Sequence, residues 1–107
     1  MKKISDEIIQ DIIITAIEGG SNYWATFGCS SWKDYQLLPL NGGKIKVWDI
    51  EDGEFLGEIN KETLTKGLAF LEKERPKDFK DIIDENFDVI TADNLFQYSL
   101  FGELVYG

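Results

Sequence analysis

A chain of 107 residues, 43% hydrophobic and 13% aromatic, can close one core and is too short for a second independent domain. Twenty acidic side chains against eleven basic ones leave a formal charge of −9, which argues against a phosphate-tracking nucleic-acid surface and against an anionic membrane as partner, since both draw on Lys and Arg. With no histidine, Ser–His and Cys–His nucleophile pairs and the usual zinc ligand set drop out, and the single cysteine, Cys29, can form no internal disulfide.

The start, MKKISDEIIQ, turns acidic at Asp6 and Glu7, and Gln10 and Asp11 break its apolar run. That pattern fits neither a secretory signal nor a bilayer span, and a reducing cytoplasm is the expected compartment. Ile4, Ile8, Ile9, Ile12, Ile13, Ala16 and Ile17 make one stripe along a helix, with Ser5 as its N-cap and Asp6 and Glu7 in its first turn. Gly19 and Gly20 are expected to end that helix in left-handed geometry.

Tyr23 to Phe27 reads as a short strand, followed by a long loop through GCSSWKDYQLLPLNGG that carries Trp32 and Tyr35. KIKVWDI sets Ile45, Val47 and Asp49 against Lys44, Lys46, Trp48 and Ile50, and the turn signal EDG joins it to EFLGEIN as an antiparallel hairpin. Asn60 caps a helix running to about Arg75, with Leu64, Gly67, Leu68 and Leu71 on one side and Pro76 at its end. Phe79, Ile82 and Ile83 mark a short helix. Asp88 or Thr91 caps the last one, whose buried stripe is Leu95, Phe96, Ser99 and Leu100 and whose stop is Gly102.

The tail ELVYG is expected to be ordered, because Leu104, Val105 and Tyr106 are too apolar to leave in water. Without repeats, low-complexity tracts or linkers, residues 1–107 read as one α+β domain: an N-terminal helix, a small three-stranded antiparallel sheet, then about three helices.

Chemistry is harder to place. Cys29 lacks any nearby base and reads as an inert small residue, and the glycine pairs at 19–20 and 42–43 lack the spacing of a phosphate loop. From Asp78 to Gly107 there are seven acidic side chains and only Lys80 to offset them, which gives either a solvated face or a surface that attracts a basic partner. A carboxylate pair such as Glu18 and Glu103 could serve acid/base work or hold Mg²⁺, but twenty acids on one small domain make accidental pairs common.

The stretch SNYW is more informative. If it is a strand, Tyr23 and Trp24 point to opposite faces; with Trp24 buried, Asn22 and Tyr23 lie at the surface beside the first helix's end. An exposed ring beside an amide is a recognition pair, and the competing reading has Asn22 capping a turn and Tyr23 covering the core edge. Gln97 falls on the packed face of the last helix, where its amide must find a partner. If the two chain ends meet, Glu18, Asn22, Tyr23, Trp24, Gln97, Glu103 and Tyr106 form one binding site. No catalytic residue, metal ligand or cofactor is assigned.

TAIEGGSNYW near the start and QYSLFGELVYG at the end resemble blocks in a group of small proteins encoded by tailed phages and prophages. The resemblance implies an accessory protein acting in the cytoplasm of the infected bacterium; from Cys29 to Gly57 no motif is shared. The expected function is therefore a non-enzymatic inhibitor of a host protein, of the anti-defence (anti-CRISPR-like) kind, working through an acidic and aromatic surface. Two alternatives stand beside it. One is a homo-oligomer that sequesters a small nucleotide signal, which requires Lys33, Lys44 or Lys46 around the anion; the other is a Mg²⁺-dependent carboxylate enzyme using Glu18 and Glu103.

Overall fold

The computed structural model describes residues 4–107, so Lys2 and Lys3 of the N-terminal charge pattern lie outside the described residues. Helix α1 spans Asp6–Thr15, with the Ser5 hydroxyl accepting from the Ile8 N–H and Ile8, Ile9, Ile12 and Ile13 turned inward. A π-helical turn, Ala16–Gly20, continues it and closes with the Ser21 N–H on the Ala16 carbonyl at 2.7 Å.

Gly19 and Gly20 therefore do not act as a left-handed cap, and neither has positive φ. Gly20 is needed for proximity instead: a Cβ there would stand 2.6 Å from the Val89 carbonyl oxygen. The missing side chain lets the end of the first helical segment touch the start of the last.

Three strands follow, β1 Ala25–Gly28, β2 Ile45–Asp49 and β3 Phe55–Ile59, in an antiparallel meander of order β1-β2-β3. β1 begins two residues later than the sequence predicts, because Asn22, Tyr23 and Trp24 lie in a turn in which the Trp24 and Ala25 N–H groups both bond the Ser21 carbonyl. The loop before β2 is less irregular than expected, with 3₁₀ turns at Tyr35–Leu37 and Pro39–Asn41. A register shift between Val47 and Trp48 leaves Val47 opposite Gly57 and Trp48 opposite Phe55, so the hairpin carries a bulge.

Helix α2 spans Lys61–Glu74 and starts in a reciprocal capping box between Asn60 and Thr63. Helix α3, Pro76–Ile83, uses Pro76 in its first turn, and helix α4, Val89–Phe101, is capped by Asp88 and stopped by Gly102 at φ 71°. The α+β architecture is as predicted. Helix α4 is its axis: every residue from Thr91 to Ser99 is buried, the pattern of a helix enclosed on all sides.

Against α4 lie α2, the π turn, β3, α1 and α3. The inner sheet face contributes Ala25, Ile45, Val47 and Ile59 to the core, and the Phe27 and Phe96 rings meet edge to face at 6.1 Å. Among the described residues no helix is long and apolar enough to cross a membrane.

Candidate functional site

Enclosing α4 buries its polar residues too, and each has found a partner. The Thr91 hydroxyl bonds Asp88, the Asn94 amide donates to Asp78 at 2.9 Å, and the Ser99 hydroxyl returns to the Leu95 carbonyl at 2.7 Å. Asp93 is the centre. Its Oδ1 accepts from the Ser21 hydroxyl and from the Trp24 indole N–H, both at 2.7 Å, and its Oδ2 accepts from the Tyr23 hydroxyl at 2.9 Å and the Gln97 amide at 3.0 Å.

Four neutral donors thus do what a counter-cation would do for a buried carboxylate. Among the described residues no buried side-chain nitrogen or oxygen lacks a partner.

The turn explains the geometry that alternation could not. Off the strand, Tyr23 and Trp24 are free to converge, and both point their polar tips at one carboxylate. One helical turn beyond Asp93, Gln97 repeats the device on the C-terminal tail: its Oε1 accepts the Val105 and Tyr106 N–H groups at 2.8 Å each, and its Nε2 reaches the Tyr106 carbonyl at 3.1 Å. The tail is ordered, but through this amide rather than through burial of all its apolar residues, since Leu104 and Val105 are exposed.

Tyr106 completes the closure. Its ring stacks on the Trp24 indole at 4.6 Å with 8° between planes, Phe101 flanks both rings, and its hydroxyl donates to Asp49 at 2.8 Å. That bond to Asp49, with lesser burial, pushes the Tyr106 phenol up to about 12. The Tyr23 phenol is also raised, first by burial and then by Asp93. Asp49 is held below the usual carboxylate range by the Tyr106 hydroxyl and by the backbone N–H groups of Glu51 and Asp52.

Of the residues predicted as one site, the structure brings Tyr23, Trp24, Gln97 and Tyr106 together. Glu18, Asn22 and Glu103 are exposed and outside the Asp93 network; the Glu18 carboxylate is taken by the Tyr35 hydroxyl at 2.6 Å. Asp93 and Ser21 are the members that sequence reasoning missed. The available signal was an acid four residues before Gln97 in a helix with no other charged residue, which places both on one face. What they form is a filled polar clamp, with its donors and acceptors already matched.

Of the concavities that lie elsewhere, two stand out by apolar lining or by volume. A largely apolar one of about 400 Å³ sits where α1, α2 and α3 meet, lined by Ile9, Leu40, Leu64, Leu68 and Phe79 among others. The second, of about 570 Å³, lies over the outer face of β1 and β2 between Cys29, Ser30, Gly43, Lys44, Lys46 and Trp48. No three His, Cys, Asp or Glu side chains among the described residues gather as a metal-holding group. No family model matches this sequence, and no curated protein or solved structure is significantly similar to it.

Proposed function

We propose that this chain is a non-enzymatic binding protein that engages and inhibits a protein target through the surface that its clamp holds rigid. The observation that carries this reading is exposed apolar area on a fixed frame: Ile90 is 65% exposed, Val105 54%, Tyr23 53% and Val89 48%. Ile90, Asp93 and Gln97 follow one another at helical spacing on α4, Asp93 anchors Tyr23, and Gln97 anchors Val105. A backbone ordered before contact loses little entropy on binding, which favours such a set as the centre of an interface.

Around that centre stand exposed polar residues: Asn22 next to Tyr23, Glu103 next to the tail, and Glu18 on the π turn whose Gly19 adjoins Val89. An apolar middle with an acidic rim suits a partner whose groove is apolar at its floor and basic at its edges. The resemblance to small phage proteins makes that partner a host protein in the bacterial cytoplasm, of the defence kind.

The test is affinity capture from bacterial lysate with the wild type and with the double variant Ile90→Arg and Val105→Arg, both checked for unchanged melting temperature. One defined partner should be retained by the wild type and lost by the variant. Equal recovery by both, or no partner for the wild type at low salt, overturns the reading. Concentration-dependent sedimentation of the wild type alone, abolished by the variant, would instead make the occupant a second copy of the chain.

A further inference from the structure

The cleft on the outer sheet face sets two lysines beside an indole. Alternation along β2 turns Ile45 and Val47 into the core and leaves Lys44, Lys46 and Trp48 on the opposite face, at steps of about 7 Å. Lys46 lies opposite Gly28 in β1, and Gly28 leaves room for the indole: a Cβ there would stand 2.8 Å from Cζ3 of Trp48. Phe55 meets the same indole edge to face at 5.7 Å and steadies it.

The charge is as uneven as the shape. Lys66, Lys77 and Lys80 each form an ion pair within their own helix and Arg75 pairs with Asp78 at the start of α3, whereas Lys46, like Lys33, Lys61 and Lys73, makes no ion pair among the described residues, although Glu58 lies opposite it in β3. Lys44 holds Glu58 at 3.4 Å, but its side chain is 52% exposed, so that pair is weak enough to exchange for another anion. Cys29, Ser30 and Gly43 close the remaining wall, and the cleft's volume of about 570 Å³ falls in the range of small-ligand sites.

From an aromatic platform with two ammonium groups at successive steps beside it, we infer that the sheet-face cleft binds a small anion carrying a flat ring, of the nucleoside monophosphate class. The base stacks against the Trp48 indole and the phosphate is held by Lys46 and Lys44. A longer nucleic acid does not fit the same description, because its further phosphates would run onto a protein of net charge −9. The cleft is built from β1, β2 and the loops flanking them and does not depend on the proposed protein-binding face.

Isothermal titration calorimetry of the wild type with AMP, GMP, CMP and UMP tests this, with the matching nucleosides and inorganic phosphate as separate arms. At least one monophosphate should bind saturably, the corresponding nucleoside and inorganic phosphate should each bind more weakly, and Lys46→Met should weaken binding about tenfold or more. Trp48→Leu should weaken the monophosphate while leaving the affinity for inorganic phosphate unchanged. Absence of saturable binding by all four monophosphates, wild-type affinity in Lys46→Met, or equal affinity for inorganic phosphate and monophosphate would each overturn the inference.

Discussion

Asp93 carries a carboxylate into the interior without a cation, and its stability rests on the count and direction of its donors. Truncating it to Ala removes the acceptor for three buried donors, the Ser21 hydroxyl, the Trp24 indole N–H and the Gln97 amide. At roughly 1 kcal/mol or more for each donor left unsatisfied, Asp93→Ala should cost about 3 kcal/mol and lower the melting temperature by roughly 10–20 °C. Asp93→Asn should fall between that variant and the wild type. Its oxygen can keep Ser21 and Trp24, but its NH₂ group then faces the Gln97 amide, which cannot turn over because Gln97 Oε1 is committed to the tail. Urea titration of the three proteins measures the order; an Asp93→Ala variant as stable as the wild type would refute the clamp. Little of this was legible beforehand, since an acid in a short sequence reads as surface. Gln97 declared itself, because an amide on a packed face demands a partner, and Tyr23, Trp24 and Tyr106 as rings near the two chain ends.

At the scale of elements, the legible parts are those with a local cause. The stripe of isoleucines, the caps at Ser5 and Asn60, the turn after Asp49 and the stop at Gly102 are each set by a few neighbouring residues, and each lies where the sequence predicts. The parts that differ are set by distant ones. β1 starts at Ala25 because Ser21, Tyr23 and Trp24 are drawn to a carboxylate about seventy residues away, and Gly20 is small because of Val89. Gly67 is another such position. It sits within α2, where glycine is unfavourable by about 1 kcal/mol relative to alanine, yet a Cβ there would run into the Ser99 hydroxyl and stand 3.0 Å from the Ser99 Cα. Gly67→Ala should therefore lower stability despite the gain in helix propensity, by about 1–3 kcal/mol, as α2 and α4 are forced apart. A raised urea midpoint in that variant would show that the two helices are free to separate.

Across the whole molecule, an excess of acid is managed by phenols. Tyr23, Tyr35 and Tyr106 each donate to a carboxylate, respectively Asp93, Glu18 and Asp49, and these three bonds tie α4 to the turn before β1, the loop to the π turn, and the C-terminus to the sheet. All three phenols hold their protons more tightly than a free tyrosine: Tyr35 and Tyr23 first through burial and then through the carboxylate, Tyr106 first through its bond to Asp49. A phenol whose pKa is raised on folding stabilises the native state fully below its unfolded value, and that contribution disappears as pH climbs through the folded one. For Tyr106 the window runs from 10.0 to about 12. Lysines also lose charge in this range, so the informative quantity is a difference between proteins. Tyr106→Phe should be less stable than the wild type at neutral pH, because Asp49 loses its side-chain donor while the ring stack on Trp24 remains. The gap between the two urea midpoints should then narrow as pH rises through that window. A gap that stays constant would mean that the hydroxyl contributes nothing through its proton, and that the C-terminus is held by Gln97 and ring stacking alone.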